Sequence, residues 1–187
     1  MRISFELNED DLKHFRLIMR QARQSMAATP PEDIVAGAEH LLSQVGTTRV
    51  PDFVQKRLAR MRALIAMLDD HEWRLPQRDC NRVLNALAYF CDPEDLIPDS
   101  IPGLGFLDDA IMIELVVRDL RHEIEAYEDF CRFRREQAPV PGFKARAGVT
   151  TRDQWLARRR DELQARMRRR RDRNAADDAA RGHRPIL

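Results

Sequence analysis

The chain has 187 residues, of which 43% are hydrophobic and 34% charged, with only seven glycines. That length holds one domain or one domain with an appendage, and the composition suits amphipathic helices rather than a β-rich fold. The net charge of +1 is unevenly placed: residues 144–187 carry 14 Lys/Arg against 6 Asp/Glu, and residues 1–143 carry 18 against 25. A mildly acidic body thus bears a basic arm, an asymmetry that points to an anionic partner.

Residues 2–7 alternate, with Ile3, Phe5 and Leu7 on one side and Arg2, Ser4 and Glu6 on the other, a period-2 strand signal. The sequence offers this strand-like arm no second strand, so it packs on helices or pairs with its mate in a dimer. Asn8 caps a first helix, with Glu9, Asp10 and Asp11 at the positive end of its dipole and Leu12, Phe15, Met19, Ala22 and Met26 as its apolar stripe. Thr29-Pro30-Pro31-Glu32 reads as a capping box with proline at the first helical position, opening a second helix that stops at Gly46. Pro51 opens a third helix on Val54, Leu58, Met61, Ile65 and Leu68. A fourth is lined by Cys80, Val83, Leu84, Leu87 and Cys91.

Then comes the densest local pattern in the chain. Between Tyr89 and Ala110 stand Asp92-Pro93, Asp95-Leu96-Ile97-Pro98-Asp99, Ile101-Pro102, Gly103, Gly105 and Leu107-Asp108-Asp109. Asp92 can cap a short turn with Pro93 at its first position, and Pro98 and Pro102 forbid a continuous helix. Asp108 and Asp109 sit in the first turn of the next helix, where carboxylates meet the helix dipole. A rigid, capped crossover between helices explains every residue type. The alternative reading makes Asp92, Asp95, Asp99, Asp108 and Asp109 converge as hard oxygen ligands for magnesium, manganese or calcium, in a metal-dependent enzyme or metal-binding protein. The structural reading implies no cofactor.

The order of these residues resembles the YkvA-like bacterial family of unknown function, over roughly residues 86–120. The resemblance implies a small helical module, often attached to other segments and in many members membrane-associated. It brings no established substrate or catalytic residue.

Phe106, Ala110, Ile113, Val117, Leu120, Ile124, Tyr127 and Cys131 alternate steps of four and three. They predict one helix of roughly 40 Å, the central helix of a bundle or a dimerisation seam. Residues 138–142 break the chain, and Thr150 or Thr151 caps a last helix that docks at its start, projects into solvent and frays from Asn174. Its arginines, Arg158, Arg159, Arg160, Arg166, Arg168, Arg169, Arg170, Arg171 and Arg173, form a run able to neutralise phosphates of nucleic acid or anionic lipid.

Cys80, Cys91 and Cys131 lack any CxxC spacing and read as buried free thiols of a reducing cytosol. The first residues hold no secretory apolar core, and the longest apolar stretch, 110–117, is interrupted by Glu114 and too short to span a membrane. A cytoplasmic location, peripheral to the inner membrane at most, follows. The expected architecture is an all-α bundle of about six helices over residues 1–137, with a linker and basic C-terminal helix over 138–187. The expected function is a non-enzymatic interaction or scaffold module. Its first expected partner is a protein, with nucleic acid or an anionic membrane surface reached through the arm, and a homodimer as a further form.

Overall fold

The computed structural model describes residues 8–47, 52–91, 107–136 and 152–182. Within them the chain is all-α: α1 (Glu9–Ser25), α2 (Pro31–Thr47), α3 (Asp52–Asp69), α4 (Gln77–Leu87), a 3-10 turn (Ala88–Cys91), α5 (Leu107–Asp119), α6 (Arg121–Glu136) and α7 (Arg152–Ala180). The strand-like arm at residues 2–7 lies outside the described residues.

Asn8 caps α1 as its sequence predicts. Its side chain accepts from the N–H groups of Asp10 and Asp11, and the Asp11 carboxylate accepts in return from the Asn8 N–H. The capping box read at Thr29 does not form. The Thr29 hydroxyl turns back to the Met26 sulfur at 3.3 Å, and α2 begins on the Pro30 carbonyl, which accepts from Asp33 and Ile34. Two consecutive prolines supply the helical φ without a side-chain cap.

The seam predicted as one long helix is divided at Leu120. The two halves have different partners: α5 lies against α3, whereas α6 lies chiefly against α7. Backbone bonds from Leu120 to Val116 and from Ile124 to Leu120 carry the helical register across the break. The seam residues Ala110, Ile113, Leu120, Ile124 and Tyr127 are buried within the one chain, so the seam is the bundle's own core and not a surface for a second copy.

That core is continuous through all seven helices. It includes the fully buried Trp73, whose ring stands 5.2 Å from Phe130 and 5.8 Å from Tyr127 between centroids. Trp73 follows a turn built on Asp70. The Oδ1 atom of Asp70 accepts from the Glu72 and Trp73 N–H groups, and its Oδ2 accepts from the Tyr127 hydroxyl and Arg134.

Helix α7 does not project into solvent after its first turns. Leu156, Leu163 and Met167 all enter the core, and the helix runs on to Ala180 rather than fraying at Asn174. The reason lies in which side chains share its inner face.

Candidate functional site

At 100° per residue, Leu156, Leu163, Gln164, Met167, Arg171 and Asn174 share one side of α7. The polar members of this stripe are bonded to other helices of the bundle and the turn at Trp73. The Gln164 amide donates to the Trp73 carbonyl at 2.8 Å. Asn174 Nδ2 lies 2.9 Å from His122 Nε2.

Between them Arg171 reaches two carboxylates on different helices. Its Nη1 lies 2.5 Å from Asp79 Oδ1 on α4 and 2.8 Å from Glu123 Oε1 on α6. Both acids are buried, at 1% and 0% exposure. Arg82 Nε approaches Glu123 at 3.4 Å, and Arg168 approaches Asp79 at 4.0 Å. Burial opposes the charge on Arg171, but its bonds to Asp79 and Glu123 prevail and hold its pKa above the ordinary value. The arrangement is a clamp: one guanidinium bridges two carboxylates that would otherwise repel each other in a dry site, and Arg82 and Arg168 supply the remaining positive charge from farther off.

Further ion pairs tie α7 to the bundle. Arg166 meets Asp129 at 2.6 Å, Arg170 meets Glu125 at 3.5 Å, and Arg152 meets Glu72 at 2.8 Å. Within α7, Arg159 pairs with Glu162 and lies over the Phe133 ring, and Arg160 pairs with Asp161. Six of the nine arginines in the predicted anion-binding run are therefore engaged inside the molecule.

The other three are Arg158, Arg169 and Arg173. They have no ion-pair partner among the described residues. With Trp155, 47% exposed, they fall within about 60° of one another on the outward side of α7. Of the acids nearest this face, Glu162 is matched by Arg159 and Asp172 by Arg171, and Asp177, one turn after Arg173, is left exposed.

Of the aspartates in the proline-rich crossover, Asp92, Asp95 and Asp99 lie outside the described residues, as does the side chain of Asp108. Asp109 is buried in the first turn of α5 and has a polar partner. Among the described residues, no three His, Cys, Asp or Glu side chains gather in a metal-ligating arrangement. The three cysteines are free thiols. Cys91 donates to the Ile34 carbonyl at 3.0 Å, and burial pushes its thiol up to about 11, which leaves it protonated and unreactive at neutral pH. Burial also raises Cys80.

The sequence reading missed Asp79, Gln164 and Asn174, and it reads His122 and Glu123 as polar surface, with Glu123 an alternative neighbour of the aspartates, whereas Glu123 is fully buried. A signal was present on α7: positions 156, 163, 167, 171 and 174 continue one helical stripe after the apolar residues end.

The fold and this clamp define an all-α bundle closed by an arginine-rich helix. Residues 82–115 match the family described as "Protein of unknown function (DUF1232)". The matched segment begins in α4 and ends in α5, and it is similar to the YkvA-like proteins. It is also 44% identical over 43 residues to a protein of Bacillus subtilis (strain 168) named "Uncharacterized membrane protein YkvA". That match takes in 23% of this chain and 41% of the relative, so the chain spans less than half of the curated protein it matches. No solved structure matches the chain. No helix among the described residues is long and apolar enough to cross a membrane.

Proposed function

We propose that the chain is a non-enzymatic helical interaction module that docks on an anionic membrane surface through the outward face of α7. The observation that carries this reading is the sorting of the arginines. Those facing inward are spent on Asp79, Glu123, Glu125 and Asp129, while Arg158, Arg169 and Arg173 stand outward without an ion pair along the side of α7 that also carries the exposed Trp155. Tryptophan favours the headgroup layer of a bilayer, and arginine pairs with lipid phosphate. Each cation near an anionic surface contributes about 1 kcal/mol, so three give about a hundredfold in partition. The relative's printed name, a membrane protein, agrees with a membrane role. A surface contact needs no spanning helix.

The test is co-sedimentation with phosphatidylglycerol-rich and with phosphatidylcholine vesicles. Trp73 is fully buried, so a blue shift of tryptophan emission on binding reports Trp155. Binding is expected to anionic vesicles alone, to weaken with salt, and to fall at least about a hundredfold when Arg158, Arg169 and Arg173 are all changed to Glu. Equal binding by the triple variant sinks the proposal. Salt-sensitive binding to duplex DNA but not to vesicles would identify the anionic partner as nucleic acid instead.

A further inference from the structure

A second surface lies on other helices, where α2, α3 and α4 enclose two adjoining hollows of about 520 and 320 Å³ that share Glu39 and Asp69. Their apolar lining includes the half-buried Val35, Leu68 and Leu84, which pack against the core from outside. The rim carries Glu32, Glu39 and Asp69, and none of these has an ion-pair partner among the described residues. By contrast Asp70, Asp79, Glu114, Glu123 and Glu128 each meet an arginine. Arg62 stands at the end of the larger hollow without closing an ion pair among the described residues. An apolar trough edged by unmatched acids has the chemistry to receive an amphipathic basic helix.

The chain itself presents such a helix. Leu17 on α1 is 48% exposed, one of two large hydrophobic side chains so exposed among the described residues. Lys13 lies one turn before it and Arg20 one turn after, on the same stripe. Arg20 has no ion-pair partner among the described residues, and Lys13 has only the fully solvent-exposed Asp10, at 2.7 Å. The spacing agrees with the groove. Lys13 and Arg20 are seven residues apart with Leu17 between, and Glu32 and Glu39 are seven residues apart with Val35 between, about 10.5 Å of helix in each case.

We infer that α1 of one copy docks into the α2–α3–α4 groove of a second copy. The helices run antiparallel, with Arg20 against Glu32, Lys13 against Glu39 and Leu17 seated over Val35. Antiparallel packing also opposes the two helix dipoles favourably. Each copy offers both halves of the contact, as a self-complementary association requires.

The experiment is sedimentation equilibrium of the full chain from nanomolar to high micromolar concentration. A concentration-dependent self-association is expected, weakened at least about tenfold by Leu17→Asp and by Arg20→Glu separately. Joining Arg20→Glu to Glu32→Arg should restore the dissociation constant to within about threefold of the parent. All three sites are exposed, and thermal melts of each variant establish that the monomer still folds. A chain that stays monomeric throughout overturns the inference, and so does unchanged association of Leu17→Asp. Rescue of Arg20→Glu by Glu39→Arg but not by Glu32→Arg would overturn the antiparallel register.

Discussion

Gly37 on α2 stands so close to Cys91 at the end of the 3-10 turn that a Cβ on it would lie 2.7 Å from the sulfur and 3.0 Å from the Cys91 Cβ. The contact fixes the point at which the chain leaves for the proline-rich crossover, and the Cys91 thiol is tied there to the Ile34 carbonyl. Alanine at position 37 gains about 1 kcal/mol of helix propensity. It also meets an overpacking cost of about 1–3 kcal/mol. Gly37→Ala is therefore expected to destabilise by about 1 kcal/mol, or about 2–4 °C in Tm for a chain of this size. Cys91→Ala removes the nearest clashing atom, so the pair should couple by about 1 kcal/mol in a double-mutant cycle. Additive losses in thermal melts would show that the two residues are not in this contact.

Arg171 is the sole group on α7 that touches both Asp79 and Glu123. Replacing it by Met keeps the apolar stem but leaves the two buried carboxylates only the more distant Arg82 and Arg168, at an expected loss of up to about 3–5 kcal/mol. The same reasoning predicts recovery. Adding Asp79→Asn and Glu123→Gln to Arg171→Met removes both stranded charges, and most of the lost stability should return. Urea unfolding curves decide this through their midpoints. A midpoint in Arg171→Met unchanged from the parent would mean that water reaches the clamp.

Much of this architecture was legible in the sequence. The periodicities of α1 to α4 and the Asn8 cap are local, and local patterns can be read one residue at a time. The division at Leu120 was not legible, because the four-three seam runs through it unbroken; what changes there is the partner helix, and a single sequence does not name partners. The course of α7 was misjudged for a related reason. Gln164, Arg171 and Asn174 occupy inward positions, but by hydrophobicity they read as solvent-facing. Asp79 and Glu123 look like ordinary exposed acids until the fold brings a guanidinium to them. The excess of arginine in residues 144–187 suggested an arm for an external anion. Two-thirds of the arginine run proves to be matched internally, and the part left over is a face rather than an arm.

Arg74 holds a left-handed backbone, with φ of +47°, just after the turn at Asp70. Its N–H closes on the Asp70 carbonyl at 2.9 Å, and its own carbonyl accepts from Gln164 at 3.3 Å. A side chain in this region costs about 1 kcal/mol, which glycine avoids. The Arg74 side chain makes only an exposed bond to the His71 carbonyl. Arg74→Gly is expected to raise stability by about 0.5 kcal/mol once the greater freedom of glycine in the unfolded chain is set against the relief. Arg74→Val, branched at Cβ, should lower it. Matched thermal melts test the pair, and a stabilised valine variant would refute the strain.

Acidification should weaken the fold in two stages whose directions agree. Burial and the neighbouring Arg121 hold the His122 pKa below its ordinary value of about 6.5, against weaker opposing pulls from Glu125 and Glu123; Arg170 adds to the lowering. Below about pH 6.5 the unfolded chain takes up a proton that folded His122 resists. Stability therefore falls with pH until the lower folded pKa is passed, then levels. Protonation also removes the acceptor facing Asn174, loosening the end of α7. The second stage belongs to carboxylates. Burial raises the Asp70 pKa, but the Trp73 N–H, Arg134 and Tyr127 outweigh it and lower the net value; Arg152 and Arg134 likewise lower Glu72. Their contribution is complete above the ordinary carboxylate range near pH 4 and is lost as pH falls through the depressed folded values. Urea midpoints measured from pH 8 to pH 3 should thus step down first below about 6.5 and again below about 4. His122→Gln should flatten the first step and leave the second, whereas Asp70→Asn should lower stability at neutral pH and shrink the second. A first step that survives His122→Gln would assign it to another group.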